Sequence, residues 1–527
     1  HASRAYHSAG MNKAWADIPE RMGDVRDEAA KLIDYVQNPR EEAAGVRSLL
    51  FAQFLGGSVA SALTNMTQPL MMTYPYLSSI KGIGPAKAAA LMGRAVKAIT
   101  TGGDRDLMAA MKRAEADGTV APQEIHQLYA EAIRSGLSSN RYVGRWLRAA
   151  AAVWGSLFSL SEQVNRRITF AAAYLAARET GKADPFAAAE QAVNETQGVY
   201  NKGNRPNLAR GATGAVLMTF KQYSIAYMEF LTRLPPRERA MALGILVLAA
   251  GLQGLPGADD LDDGIDTLAQ ALGYSFRSED AKRRFLQRVF GNGFADFLMY
   301  GLSTTGVPLD FQQRLGLGNL IPGTALLKRS STDKSRDVME FAGPAGSVVQ
   351  QWMRAWDAFT STGLAEGALL RGGWEALQQL APVAFGNALK ASDMFNTGYA
   401  LDAKGKRIAP VTTGDAVTKF IGFQPASLAA GQRNREGAQE AIALARDEES
   451  RITEVWADGL FQKDRDLVAR ARERLNDWNR RNPEAPIRVT LQQIRRRVQE
   501  MGRTRDERLI RSAPRELRQG ARETISG

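Results

Sequence analysis

Residues Tyr200–Leu268 read YNKGNRPNLARGATGAVLMTFKQYSIAYMEFLTRLPPRERAMALGILVLAAGLQGLPGADDLDDGIDTL. A basic loop rich in glycine and asparagine leads into a mixed apolar helix, and an almost charge-free run then ends in aspartates. Apolar residues recur three and four positions apart, the spacing of one helix face, and alternating β-branched runs are almost missing. The pattern extends outward over most of the chain, where alanine, leucine, glutamate and arginine dominate, all of them good helix formers. The expected fold is all-α: an extended multi-helix body with glycine- and proline-punctuated loops, one small β-hairpin and an arginine-rich helical C-terminal region.

Toward the N-terminus, Met11 to Gln37 has the pattern of one amphipathic helix, broken at Asn38-Pro39 because the residue before proline disfavours helical geometry. A second helix is expected from about Glu41. Residues 47–80, RSLLFAQFLGGSVASALTNMTQPLMMTYPYLSSI, read as packed core helices joined by tight turns at Gly56-Gly57, Pro69 and Pro75. Residues 85–135 resemble a helical hairpin that turns at Thr100 to Asp104, with Asp117-Gly118 ending its second helix. Between Ser138 and Arg178, Trp146, Ala150 and Trp154 share a buried stripe, while Arg141, Arg145 and Arg148 lie toward a solvated face.

Toward the C-terminus, GVPLDFQQRLGLGNLIPGT (306–324) and EFAGPAGSVV (340–349) are glycine-punctuated loops that need neighbours to hold them. GYALDAKGKRIAPV (398–411) carries the hairpin signal, with Lys404-Gly405 as its turn. From Arg433 the chain is highly polar, and its last helices hold many arginines, Arg495, Arg496 and Arg497 in succession. These shifts divide the chain into an N-terminal helical segment (1–45), a main helical core (46–330), a loop-rich helical region (331–430) and arginine-rich helices (431–527).

Composition narrows the chemistry. Lysine and arginine number 68 against 56 acidic residues, and the formal charge of +12 favours an anionic partner such as nucleic acid or a lipid surface. Cysteine is absent, which removes disulfides, thiolate nucleophiles and thiolate zinc sites. Histidine occurs only as His1, His7 and His126, too few for a multi-histidine metal centre, and His126 reads as a helix-surface residue. A chain that opens on His1 without a signal-peptide pattern is expected to be a cleaved product or part of a longer polypeptide. No GxxxxGK[ST], HExxH or GxSxG motif occurs, so no enzymatic activity, cofactor or metal is expected. Glu195, in ETQG, superficially matches the glutamate motif of lytic transglycosylases but lacks the glycine-leucine-methionine-glutamine segment that follows it there.

Three stretches are candidate anion contacts. LSSIKGIGPAKAAALM (77–92) looks like a helix-hairpin-helix element. Gly82 and Gly84 would form its turn, Pro85 would open the next helix, and Lys81 and Lys87 would add charge beside backbone N–H groups aimed at a phosphate. An ordinary glycine turn explains the same residues, and Pro75 leaves little room for a preceding helix. Lys202, Arg205 and Arg210 suit either phosphate contact or the pinning of one helix layer to another. Arg495, Arg496 and Arg497 suit either a solvated face or a nucleic-acid or protein contact.

Two further stretches invite other chemistry. In GADDLDDGIDTL (257–268) a calcium-loop spacing fails, because Leu261 and Gln270 would stand at ligand positions, and Asp259 or Asp260 reads as a helix N-cap. The apolar run Met241 to Leu255 is short for a span of roughly 20 residues and reads as a buried helix. If the protein rearranged, Met241, Leu243, Ile245, Leu246, Val247 and Leu248 would form a membrane-active helix.

Six segments together carry a resemblance: FAQFLGGSVASALTNMTQPLMMTYPYL, NKGNRPNLARG, LMTFKQYSIAYMEFL, AAGLQGLPGADDLDDGID, YGLSTTGVPLDFQQRLGLGNLIPGT and FIGFQPA. Spread over about residues 46 to 430, they resemble the C-terminal region of the large internal virion proteins, the ejection or core proteins, of short-tailed bacteriophages. The resemblance implies a structural component packaged in the capsid lumen near the portal, taking part in genome ejection and passing into the host cell envelope. It further implies self-association in a ring, contact with the portal and other internal virion proteins, sequence-independent contact with packaged double-stranded DNA, and contact with the host inner membrane after ejection. Two other readings stay open: a fragment of a peptidoglycan-degrading virion enzyme, and a non-specific DNA-binding helical module built on residues 77–92.

Overall fold

Capping chemistry and close backbone packing set the helix boundaries. The computed structural model describes residues 11–37, 42–55, 57–121, 141–197, 205, 207–219, 221–307, 309–315, 317–318, 324, 382–402, 405–512 and 514–526, with backbone alone over 141–156. Among them the fold is all-α with one small two-stranded antiparallel sheet. The helices are α1 Gly23–Gln37, α2 Ala44–Phe54, α3 Val59–Asn65, α4 Tyr74–Ser79, α5 Pro85–Thr101, α6 Arg105–Ala116, α7 Arg141–Glu179 and α8 Pro185–Thr196. Then follow α9 Gly211–Leu217, α10 Gln222–Arg233, α11 Pro236–Ala250, α12 Ala258–Ala271, α13 Ser278–Phe290 and α14 Asn292–Tyr300. After α15 Val383–Thr397 come strands β1 Tyr399–Leu401 and β2 Arg407–Pro410, then α16 Thr413–Ile421, α17 Ala426–Gln462, α18 Arg465–Arg481 and α19 Leu491–Met501. His126 and residues 331–381 lie outside the described residues, as do the side chains of Trp146 and Trp154 and the arginines expected opposite them.

The chain divides into two units: residues 1–259, 286–322 and 338–429 form the first, and residues 260–285, 323–337 and 430–527 the second. In the first, α5, α7 and α8 meet along a seam of small residues, where Ala88, Ala95, Ala172, Ala176, Ala189 and Ala192 are fully buried. Alanine lets helix axes approach closely, so this core gains contact through proximity rather than bulk. The α5–α6 turn follows the sequence reading: Gly102 closes α5 in the left-handed region, and the Asp104 side chain accepts from Leu107 N–H to cap α6. Gly118, also left-handed, follows the end of α6. The expected hairpin forms with Gly405 at φ 73°, while Lys404 lies outside the described residues.

A polar layer crosses the alanine seam. Thr73 and Thr169 hydroxyls lie 2.7 Å apart, and Gln197 Nε2 donates to Thr169 Oγ1 at 2.8 Å. The fully buried Arg166 pairs with Glu162 at 3.2 Å and donates to the carbonyls of Thr119 and Gln197, both at 3.4 Å. The Glu162 pair lies within α7, while the other bonds tie the helix to Thr73, Thr119 and Gln197, so the layer fixes rotation as well as distance.

Three expectations need correction. The stretch Met11 to Gln37 is two helices, because residues 11–16 are helical, Pro19 interrupts, and α1 begins only at Gly23. Pro75 does not end the segment before the 80–84 turn: a π-helical stretch, Pro69–Thr73, runs into α4. Met71, whose carbonyl the Pro75 ring would crowd in an α-helix, lies in that widened stretch, so helical structure continues through the proline. Asp259 and Asp260 fall inside the first turn of α12 rather than at its N-cap. There the exposed N–H groups find backbone partners, Gly257 N–H on Leu317 O at 3.1 Å and Asp259 N–H on Gly318 O at 3.0 Å.

The second core of the first unit, with Met71, Tyr227, Phe230 and Leu246, surrounds α11. At the end of α11 two backbones cross without a side chain between them. A Cβ on Gly251, at φ 74°, would collide with the Met299 carbonyl, and one on Gly301, at φ 67°, would stand 2.7 Å from the Ala249 carbonyl. The segments that follow α11 and α14 are thus held by one another. In the second unit, Leu444, Ile452, Trp478 and Ile487 form the core between α17, α18 and the segment before α19.

Gly251→Ala and Gly301→Ala are each expected to destabilise the protein by about 3 kcal/mol, combining overpacking with a strained positive φ. Gly244→Ala, on the exposed side of α11 with nothing within 4 Å of the new methyl, is expected to stabilise by about 0.5–1 kcal/mol. Urea unfolding of the three variants reads both signs.

Candidate anion-contact sites

In the 77–92 element, Ile83 is buried in the core and its N–H donates to Ile80 O at 2.9 Å, which closes the turn. Gly82 sits at φ 87°, and Gly84 is the N-cap of α5 with no side chain bonded to the helix N-terminus. Lys81, Gly82 and Gly84 are exposed at the apex of the turn. Lys87 points elsewhere, pairing with Glu179 of α7 at 3.0 Å, and Arg94 pairs with the same carboxylate. Hydrogen bonds from Lys87 and Arg94 hold the Glu179 carboxyl below its usual range. The turn therefore gathers three of its four expected residues and commits the fourth to packing.

The 202–210 loop shows the pinning geometry. Lys202 lies outside the described residues. Arg205, with its side chain 2% exposed, pairs with Glu42 at 3.0 Å and donates to Tyr35 Oη at 3.2 Å. Glu42 also accepts from Tyr35 Oη and, through its other oxygen, from Gly211 N–H at the start of α9. Arg210 donates to Arg205 O at 3.1 Å and lies over the Tyr35 ring at 5.1 Å. Burial would raise the Glu42 carboxyl, but hydrogen bonds from Tyr35, Gly211 N–H and Arg205 bring it below its usual value. Burial and the bond to Glu42 push the Tyr35 phenol up to about 12. A buried guanidinium paired with a carboxylate is not placed to meet a DNA phosphate, so Arg205 serves α1 and α9 rather than solvent.

On α19 of the second unit, Arg495 is exposed, whereas Arg496 pairs with Glu500 at 3.2 Å and Arg497 with Glu454 at 3.4 Å. The aspartates of α12 likewise have packing partners. Asp262 pairs with Lys282 at 2.7 Å, Asp266 accepts from Ser278 N–H at 2.6 Å to cap α13, and Thr324 Oγ1 lies 3.0 Å from both Asp260 and Asp263. Glu195 accepts from Gln191 one turn earlier on α8 at 2.7 Å, an ordinary helix-surface pair.

The run Met241 to Leu248 lies within α11, with Leu246 fully buried, Met241, Leu243, Ile245 and Val247 half-buried, and Leu248 54% exposed. Among the described residues no helix is long and apolar enough to cross a membrane.

One basic cluster escaped the sequence. Lys419 of α16, Arg314 of the helical turn Gln312–Leu315 and Lys390 of α15 come together in the first unit. The Lys419 ammonium donates to Gln424 Oε1 at 2.9 Å, and Arg314 donates to the Gly422 carbonyl while lying 6.0 Å from the Phe423 ring centre. Burial, reinforced by the charges of Lys390 and Arg314, lowers the Lys419 ammonium from 10.5 to about 8. Desolvation lowers Arg314 as well. These cations stand far apart in the sequence, and no local motif announces them.

Compared with protein families, curated proteins and solved structures, the chain matches none.

Glu42→Gln is expected to cost about 2 kcal/mol at neutral pH, because Arg205 keeps a buried charge and loses its counter-charge. Since folding lowers the Glu42 carboxyl below 4.5, the variant's deficit is present above that pH and disappears as the solution is acidified through the lower folded value. Lys419→Met is expected to stabilise by roughly 1–3 kcal/mol at pH 7, because it removes a charge that folding disfavours. Between about 8 and 10.5 the unfolded chain holds the Lys419 proton that the folded chain has released, so wild-type stability rises and the gap closes. Urea titrations of each pair across pH read both effects.

Proposed function

We propose that this chain is a structural bacteriophage internal virion protein, packaged near the portal and taking part in passage of the genome through the host envelope. One observation carries the reading: segments that bear the resemblance interlock in the first unit, although they are distant in sequence. AAGLQGLPGAD meets YGLS and LGLG through the Gly251 and Gly301 crossing and the bonds from Gly257 and Asp259. LDFQQR meets FIGFQPA through a Leu309–Pro425 bridge, an Asp310 N–H bond to Gln424 O at 3.2 Å and an edge-on Phe311–Phe423 pair at 5.2 Å. Sequence features that fit together in space have a common structural cause, which scattered similarity would not require.

In this reading DNA is met through exposed cations such as Lys81 and Arg495, without sequence readout. The ring, the portal and the other internal proteins are its partners, and α11 would have to leave its core to meet the inner membrane. Imaging of intact particles carrying this chain with a bound label tests the proposal. Density beside the portal inside the capsid is the expected result. Label on the outer capsid, or absence of the chain from purified virions, overturns it.

A further inference from the structure

We propose that Arg314, Lys390 and Lys419 form a binding site for a phosphate-class oxyanion. Arg314 and Lys419 both bond to the segment 422–424, at the Gly422 carbonyl and the Gln424 side chain, and Lys390 lies one turn along α15 from Asn387, which adjoins Gly422. Among the described residues neither Arg314 nor Lys419 pairs with a carboxylate. Their acceptors are neutral, the Gly422 carbonyl and the Gln424 side-chain amide. An ammonium carries three donors and a guanidinium five, so each retains donors beyond those bonds.

Half-buried cations set near one another are costly unless an opposite charge compensates them, and most such groups in proteins have one. Their positions are nevertheless firmly built. Arg314 is fixed by Gly422, whose own Cβ position stands 3.3 Å from Ala60 and 3.6 Å from Asn387. Phe423 is fully buried, and the bridge between Leu309 and Pro425 joins the two supporting segments. Lys390 is exposed at one side, which leaves the group open to solvent. A tetrahedral oxyanion with two negative charges matches this combination: a planar fork from Arg314, point charges from the lysines, and a rim through which the ion enters. The source is either a free phosphate or a backbone phosphate of DNA.

Thermal unfolding of the whole chain in inorganic phosphate, against sodium chloride of equal ionic strength, tests the site. Phosphate is expected to raise the wild-type midpoint by roughly 2–4 °C, and Lys419→Met is expected to lose that rise while melting no lower than wild type in chloride. Lys390→Met, at an exposed position, is expected to reduce the rise and serves if the first variant folds poorly. Equal midpoints for wild type in the two salts, or an undiminished rise in both variants, overturns the proposal. Short duplex DNA that raises the wild-type midpoint in chloride, and raises that of Lys419→Met less, assigns the site to backbone phosphate, and an equal effect on the two assigns it to the free ion.

Discussion

The crossing of the chain at Gly251 and Gly301 is the constraint on which the first unit depends. Neither position has room for a methyl group, and each meets backbone rather than a side chain that could move aside. Because Gly251 follows the last turn of α11, the crossing fixes where that helix stops and where residues 252–259 go next. Those residues then find their hydrogen bonds on Leu317 and Gly318, which start α12 without a side-chain cap. An apolar helix is thereby held against Tyr227 and Phe230 at its side and against α14 at its end. Its length and its lack of charge would suit other surroundings, but the glycines specify this one.

The alanine seam adds a second constraint of a different kind. Helices that touch through alanine bury little apolar surface per residue, and the gain from each contact is correspondingly small. The Thr73, Thr169, Gln197 and Arg166 layer supplies direction that the seam lacks. A buried arginine contributes little net stability beside well-packed apolar groups, yet sliding or rotating α7 would take its donors away from the Thr119 and Gln197 carbonyls. Orientation is therefore enforced by the cost of the wrong arrangements.

The all-α class was legible because helical periodicity and capping residues are local. Gly102 and Asp104 announced the α5–α6 turn, and Gly405 the hairpin, from a few neighbouring residues. Boundaries set by distant partners were not legible. The start of α12 looked like an aspartate cap because its true acceptors, Leu317 and Gly318, lie far along the chain. Pro75 looked like a stop because a π-helical stretch that relieves it leaves no clear mark in composition. Among the candidate contacts, the exposed apex at Lys81 and Gly84 was readable from the glycines, whereas the partner that engages Lys87 sits on another helix.

Charge shows most plainly why motif and site part company. Lys87, Arg205, Arg496 and Arg497 stood in the most suggestive basic stretches, and all four meet carboxylates. Arg314 stands in a loop marked by its glycines and Lys419 just ahead of FIGFQPA, and both meet neutral acceptors. A locally dense run of positive residues on helices is often built with glutamates within reach, so its field is largely cancelled once folded. Isolated cations carry no such local compensation, and folding can bring them together with their charge intact. The net charge of +12 therefore says less about where anions bind than the tertiary structure that gathers single residues from separate helices.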